Sequence, residues 1–83
     1  MAIVARIDGV TIVFHFNEHG MPHFHAVTAE DRATLDIDSL EMIEGWISRS
    51  KYHLVKRWAG SRKRLLLRAW DTCRARETPE KIP

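Results

Sequence analysis

The segment from Phe14 to Ala26 carries four of the five histidines of the chain and reads FHFNEHGMPHFHA. Histidine gains or loses a proton near neutral pH, and its neutral imidazole is the commonest protein ligand for metals. A cluster of histidines therefore indicates either a divalent metal site or proton transfer by a general acid or base. The four clustered residues are His15, His19, His23 and His25.

Alternation of apolar and polar residues predicts that these histidines lie on strands. Asp8-Gly9 is a strong signal for a two-residue hairpin turn, and the apolar residues on both sides of it alternate with period two. Pairing Ile7 with Val10 across this turn places Ile3 opposite Phe14. The remaining strands are predicted at residues 23–29, 32–37 and 42–44.

The apolar faces of these strands also predict how they pair. Matching the faces of the second and third strands puts Phe14 opposite Ala26, and therefore His15 opposite His25. A tight turn at Glu30-Asp31 then puts His25 opposite Asp36, and directly opposed Cβ atoms lie about 4.5–5.5 Å apart.

The pairing predicts a site on the open sheet face. Its expected ligands for a divalent metal such as zinc are His15, His23, His25 and Asp36, and His19 or Glu18 from the intervening turn could add another. The same groups would suit acid-base chemistry by a histidine next to a carboxylate. The candidate functional face comprises His15, Glu18, His19, His23, His25 and Asp36.

A non-catalytic interpretation stands beside this one. Histidines on a polar sheet face are commonly solvated or hydrogen-bonded, and the chain lacks the His-Glu-x-x-His pattern of a helical zinc site. A cysteine or serine nucleophile has less support, because Cys73 falls on a predicted core stripe and no serine flanks the histidine row. Whether the chain is an enzyme stays open at this point.

The second half of the chain has helical periodicity from Ser48, a suitable N-cap, to about Arg76. We expect one long helix, which Gly60-Ser61 could kink or split. The predicted fold class is α+β, a small antiparallel sheet of three to five strands with one face covered by this long C-terminal helix. Residues 1–77 would form a single domain and residues 78–83 a flexible tail.

Composition favours a small cytoplasmic protein that makes no contact with a membrane. The chain has 83 residues, 45% of them hydrophobic and 29% charged, which is ordinary for one globular domain. The single cysteine excludes an intrachain disulfide and a four-thiolate zinc site. No segment has the length and apolar content of a signal peptide or a membrane span.

The net charge of +2 hides a division between the two halves. Residues 1–48 contain two basic and eight acidic side chains, whereas residues 49–83 contain eleven basic and three acidic ones. Part of the basic half forms a ribbon along the predicted helix, which indicates either nucleic-acid binding or a solvated face that meets an acidic partner. The ribbon residues are Lys56, Arg57, Lys63, Arg64 and Arg68.

Three valines on the predicted histidine face raise a further alternative. Val4, Val13 and Val27 would make that face half apolar. Such a face, with unpaired sheet edges beside it, indicates an interface for a second copy or for another protein. Scattered surface valines without a function are the simpler interpretation.

The run NEHGMPHFHA extends from Asn17 to Ala26, with Asp8-Gly9 before it and Leu35-Asp36-Ile37 after it. Together with the spacing of apolar residues in the helix, these segments resemble those of a family of small bacterial proteins. This family is known as domain of unknown function 4160, and its hallmark is Asp/Glu-His-x-Pro-Pro-His-Phe-His. Met21 stands where the first proline is usual, and Ser48 stands where a proline often precedes the helix. The matching positions are Glu18, His19, Pro22, His23, Phe24 and His25.

The resemblance implies a role but no activity. Members resemble partners in two-gene, toxin-antitoxin-like modules, so the leading hypothesis is a small cytoplasmic interaction protein that binds the product of a neighbouring gene or a second copy of itself. The helix of typical members is richer in glutamate than Arg62-Lys63-Arg64, which makes nucleic-acid binding by the ribbon a weaker expectation. The alternative hypothesis is a metal-dependent hydrolase or nuclease that uses the histidine cluster.

Overall fold

The computed structural model describes all residues from 1 to 83. Five strands come first and form one antiparallel sheet in which each strand pairs with the next one along the chain. Two helices follow. The elements are β1 (Ala2–Ile7), β2 (Val10–Phe14), β3 (His23–Val27), β4 (Arg32–Asp36), β5 (Met42–Trp46), α1 (Arg49–Gly60) and α2 (Lys63–Arg74).

The β1–β2 hairpin confirms one predicted pair and overturns another. Ile7 pairs with Val10 across the Asp8-Gly9 turn, but an irregularity between Ile3 and Ala5 places Ile3 opposite Val13 rather than opposite Phe14. A one-residue shift moves every following side chain to the other face of the sheet. Val4 is therefore completely buried in the core, and its predicted place on the histidine face is wrong.

The next two hairpins differ from the predicted register by two residues. Val13, not His15, lies opposite His25. On the other side His25 lies opposite Thr34, whereas Asp36 lies opposite His23. A two-residue shift leaves every side chain on its own face. The histidines consequently stay on the open face although their predicted partners are wrong.

The turn between β3 and β4 explains part of this shift. The amide N–H of Asp31 donates to Oγ1 of Thr28 at 3.0 Å, and the N–H of Thr28 donates to the carbonyl of Asp31 at 2.8 Å. These bonds centre the turn on Ala29-Glu30, one residue before the predicted Glu30-Asp31. Moving the centre of a hairpin by one residue changes its register by two.

The predicted fold class is wrong in its helical part, because no single long C-terminal helix covers a sheet face. Two helices of 12 residues each take its place. Ser48 caps α1 as expected, its Oγ accepting from the N–H of Lys51. Glycine and serine are poor helix formers. The chain leaves α1 at Ser61, and Nη1 of Arg62 donates to the carbonyl of Trp58 at 2.8 Å.

The core lies between the sheet and the helices. It consists of 19 buried residues from β1 to β4, the connections on either side of β5, both helices and the C-terminal segment, with Trp70, Phe14 and Phe24 as the largest members. The segment predicted to be a flexible tail contributes Ile82, which is 7% exposed. The N–H of Ile82 donates to the carbonyl of Val4 at 2.8 Å, so this segment lies against the outer edge of β1. Neither helix has the length and apolar content that crossing a membrane requires.

Candidate metal centre

The centre of the open sheet face is a row of side chains that crosses all five strands. Successive backbone pairs join Ile3, Val13, His25, Thr34 and Glu44. Residues paired across antiparallel strands share a face, so this row fixes His25 near the middle of the sheet. The rigid sheet thus supplies the first functional side chain.

The connection between β2 and β3, residues 15–22, supplies a carboxylate. Asn17 has φ +65° and Gly20 has φ +89°, so two left-handed residues flank Glu18 and turn the chain sharply. Glu18 reaches the two histidines of β3. Its Oε1 accepts a hydrogen bond from Nε2 of His25, and its Oε2 lies 3.0 Å from Nε2 of His23.

Both ring nitrogens of His25 have a hydrogen-bond partner. Nδ1 of His25 lies 3.1 Å from Oγ1 of Thr34, a side chain that is largely buried between the strands. The hydroxyl of Thr34 can donate a hydrogen bond to Nδ1 or accept one from it. Glu18, His25 and Thr34 thus form one hydrogen-bonded chain on the open sheet face.

His23 is held differently, with an acceptor at each ring nitrogen. Its Nδ1 donates to the carbonyl of Met21 at 2.8 Å, and its Nε2 faces the carboxylate of Glu18. The ring packs on the indole of Trp70 with centroids 4.7 Å apart. Trp70 of α2 thereby positions His23, and His23 in turn contacts Glu18.

His15 completes the cluster from the end of β2. Its ring centroid lies 4.4 Å from that of His25. Burial, and after it the positive charge of His25, lower the pKa of His15. A lowered pKa keeps this imidazole neutral and able to donate its lone pair at neutral pH.

These side chains form a set with the composition of a metal site. One ligand atom from each of His15, Glu18 and His25 lies within 4.8 Å of the others. Tetrahedral zinc with bonds of about 2.0–2.2 Å holds its ligand atoms about 3.4 Å apart, so side-chain adjustments of about 1 Å would close the set around an ion. Two imidazoles and one carboxylate leave a fourth position for water or substrate.

The charge of Glu18 suits this role. Burial by itself would raise the pKa of Glu18, but hydrogen bonds from His25 and His23 outweigh burial and lower the pKa below its ordinary value. The carboxylate is therefore ionised at neutral pH. In a metal-bound form, Oε2 would keep its contact with His23 while Oε1 faced the ion, and Thr34 would accept the Nδ1–H of His25.

The structure does not bring every predicted site residue to this cluster. His19 is exposed in the β2–β3 connection. Asp36 lies opposite His23, but its Oδ2 accepts a hydrogen bond from the N–H of Ser39 at 2.7 Å, and this bond lowers the pKa of Asp36. The compact donor set is thus His15, Glu18 and His25, with His23 beside it and Asp36 engaged in a turn.

The predicted basic ribbon is divided by the break between the helices. Lys56 and Arg57 belong to α1, whereas Lys63, Arg64 and Arg68 belong to α2. Lys63 donates to the carbonyl of Asp38, and the ammonium of Lys56 lies 5.2 Å from the centroid of the Tyr52 ring. The ribbon residues therefore lie on two separate helices.

Sequence reasoning missed two residues that shape the site and ranked a third too low. Thr34 carried a signal, since it is the polar residue within the apolar run from Ala33 to Leu35. Trp70 was expected in the core but not against a histidine. Glu18 was expected only as an added ligand, because a loop has no periodicity that predicts where its side chains point.

One family model matches most of the chain. It is described as Domain of unknown function (DUF4160), and the match covers residues 9–71, which include the histidine segment, β2 to β5, α1 and most of α2. No curated protein and no solved structure matches the chain.

Proposed function

We propose a metal-dependent hydrolytic function for this chain, which belongs to the family described as Domain of unknown function (DUF4160). One observation carries the proposal. Two imidazoles and an ionised carboxylate, from His15, His25 and Glu18, place their ligand atoms within 4.8 Å of one another on the open sheet face. This donor set is one that divalent transition metals such as zinc prefer when they act in catalysis.

The residues around the proposed ion position have different roles. Zinc with an open position lowers the pKa of a bound water to about 7 and so supplies a nucleophile at neutral pH. His15 and His25 would each hold the ion through one ring nitrogen, and Thr34 contacts Nδ1 of His25 and so orients its ring. His23 holds the second oxygen of Glu18 and keeps the carboxylate turned toward the histidines.

The proposal is tested by measuring bound metal and hydrolysis in the same samples. The protein is purified without a histidine tag, loaded with zinc, freed of excess metal and compared with the His25→Ala and His53→Ala variants. His53 is an exposed histidine on α1 and serves as the matched control. We expect one zinc per chain in the native protein and in His53→Ala, and none in His25→Ala.

Hydrolysis of activated esters by the same samples should follow the zinc content. Chelation with EDTA should abolish turnover, and added zinc should restore it in the native protein and in His53→Ala only. Equal zinc content in the two variants would show that the histidine face is not the metal site. Zinc bound at full stoichiometry without turnover of any ester would leave a metal site but remove the hydrolytic role.

A second candidate function is that of a small cytoplasmic interaction protein in a two-gene, toxin-antitoxin-like module. Strand β5 supports it, because this strand forms one edge of the sheet and leaves Ile43 and Trp46 exposed by 55% and 58%. An exposed edge strand can add a strand from a partner through its free backbone groups. The partner would be the product of a neighbouring gene or a second copy of the chain.

Co-expression with the product of the neighbouring gene tests this candidate. A complex that survives gel filtration, is lost in Trp46→Ser and persists in Leu67→Ser would support it, since Leu67 is an exposed apolar residue on α2, away from the edge. Failure of the native chain to form a complex, together with a monomeric mass in solution, would remove it.

A further inference from the structure

A second row of side chains runs beside the candidate metal centre on the same sheet face. Backbone pairs join Arg6, Thr11, Val27, Arg32 and Trp46 across the five strands. On β2 to β5 each residue of this row lies two positions from the row that contains His25, about 7 Å along a strand. Arg32, on the strand next to His25, lines the same groove as His25 and is within side-chain reach of the centre.

The charges of this row are unusual for the first half of the chain. Arg6 and Arg32 are the only basic residues among the first 48, where eight acidic residues occur. Both arginines are exposed, and neither forms an ion pair, since both ion pairs of the structure involve Glu18. Two free guanidinium groups therefore lie on the histidine face of an otherwise acidic half.

The two arginines line a groove that has an apolar floor. The groove has a volume of about 470 Å³, and Ile3, Val13 and Val27 contribute apolar side chains to it. A neighbouring groove of about 370 Å³ is lined by Arg32 together with His25 and Thr34. Arg32 thus borders both the apolar groove and the side chain of the candidate metal ligand His25.

The carboxylates nearby restrict where an anion can lie. Glu30 and Asp31 line the apolar groove at the β3–β4 turn, beyond Arg32 as seen from His25, and Glu44 lines the neighbouring groove. Glu30 and Asp31 repel an anion at the turn end. Glu44 lies in the same row as His25 and repels an anion on the β5 side of the neighbouring groove. The favourable position for a negative group is therefore between Arg32 and His25, on the side away from β5.

We propose that the substrate of the hydrolytic site is a phosphate ester, whose phosphate lies between Arg32 and the metal and whose apolar group lies on the groove floor. This proposal rests on the hydrolytic function proposed above. Guanidinium groups bind phosphate through paired charge-assisted hydrogen bonds. A metal ion and the guanidinium of Arg32 favour the two negative charges of a phosphate monoester over the single charge of a carboxylate.

The reaction is a hydrolysis that needs no further reactant. The oxygen of water forms a bond to phosphorus while the bond from phosphorus to the ester oxygen breaks. One proton of the water is transferred to the departing oxygen through solvent, which yields an alcohol and inorganic phosphate. Arg32 stabilises the negative charge on the phosphoryl oxygens.

Binding of inorganic phosphate to the zinc-loaded protein tests this inference separately from turnover. The variants are Arg32→Gln and the control Arg57→Gln, an exposed arginine on α1. We expect phosphate affinity and turnover of p-nitrophenyl phosphate to fall about tenfold in Arg32→Gln and to stay unchanged in Arg57→Gln, with one zinc per chain in both. A larger rate enhancement over the uncatalysed reaction for p-nitrophenyl acetate than for the phosphate ester, with the native protein, would overturn the proposal.

The outcomes separate the two proposals. A native protein that binds no zinc contradicts the hydrolytic function itself. A native protein that binds zinc and hydrolyses esters, but whose phosphate affinity is equal in Arg32→Gln and Arg57→Gln, contradicts only the assignment of the substrate.

Discussion

Glu18 accepts a hydrogen bond from Nε2 of His25, so a loop carboxylate is the direct partner of a histidine fixed at the centre of the sheet. The other oxygen of Glu18 lies 3.0 Å from Nε2 of His23. One carboxylate therefore joins the β2–β3 connection to both histidines of β3. The candidate metal centre depends on this relationship more than on any other.

Replacing Glu18 by glutamine should abolish tight zinc binding. The amide keeps the size of the side chain but removes its negative charge, which is the only one in the donor set. The matched control is Asp36→Asn, which removes the carboxylate opposite His23 that serves a turn instead. Isothermal titration with zinc should give native affinity for the control. A larger loss of zinc affinity in Asp36→Asn than in Glu18→Gln would contradict the assignment.

Replacing Thr34 by valine should weaken zinc binding about tenfold without unfolding the protein. Valine has nearly the same shape and suits a strand, but it cannot accept the Nδ1–H of a metal-bound His25. Thr72→Val is the control, since its hydroxyl donates to the carbonyl of Arg68 on α2. Zinc titrations of the native protein, Thr34→Val and Thr72→Val measure this difference. Equal zinc affinities would show that Thr34 does not orient the ring of His25.

The metal-free protein should lose stability in acid through Glu18. Because the pKa of Glu18 is lower in the folded than in the unfolded state, its ionised form stabilises the fold above the unfolded pKa, and this contribution disappears as pH falls through the folded pKa. Urea unfolding at about pH 5.5 and about pH 3 should show a smaller decrease in unfolding free energy for Glu18→Gln than for the native chain. Parallel decreases would mean that Glu18 carries no such contribution.

Gly45 should not tolerate a side chain. It has φ +73°, and a Cβ there would lie 2.3 Å from the carbonyl oxygen of Arg32 on the neighbouring strand β4. Gly45→Ala should therefore destabilise the protein by about 2 kcal/mol or more. Gly60→Ala meets no atom within 4 Å at the end of α1 and should change stability by less than about 1 kcal/mol. Urea unfolding of both variants checks the difference; equal effects would contradict the close contact.

The sequence predicted the faces of the strands better than their partners. Asp8-Gly9 determined the first turn, and Ile7 pairs with Val10 as expected. The later turns have weaker signals, and Ala29-Glu30 forms the turn instead of Glu30-Asp31 because Thr28 caps it with its hydroxyl. Because side chains alternate with period two, this two-residue error in register left the histidines on the predicted face. The irregularity between Ile3 and Ala5 has no counterpart in the hydrophobic pattern, so Val4 was assigned to the wrong face.

The helices and the loop carboxylate were beyond what periodicity can predict. The apolar stripe keeps its phase from Trp58 to Leu65, so the pattern alone does not distinguish one helix from two. The break follows Gly60-Ser61, and the side chain of Arg62 there donates to the carbonyl of Trp58. The position of Glu18 depends on two left-handed residues in its loop, Asn17 and Gly20. Of these, only the glycine is a residue type that predicts such a conformation from the sequence.

The most direct test of the metal centre is a crystal structure of the zinc-loaded, untagged protein with data collected at the zinc absorption edge. We expect one anomalous peak per chain, from a zinc ion bonded at about 2.0–2.2 Å to one nitrogen each of His15 and His25 and to an oxygen of Glu18. His23 should remain outside the coordination sphere with its Nε2 on the second oxygen of Glu18. A zinc ion bound instead by Asp36 and His23, or no anomalous peak on the open sheet face, would contradict the account.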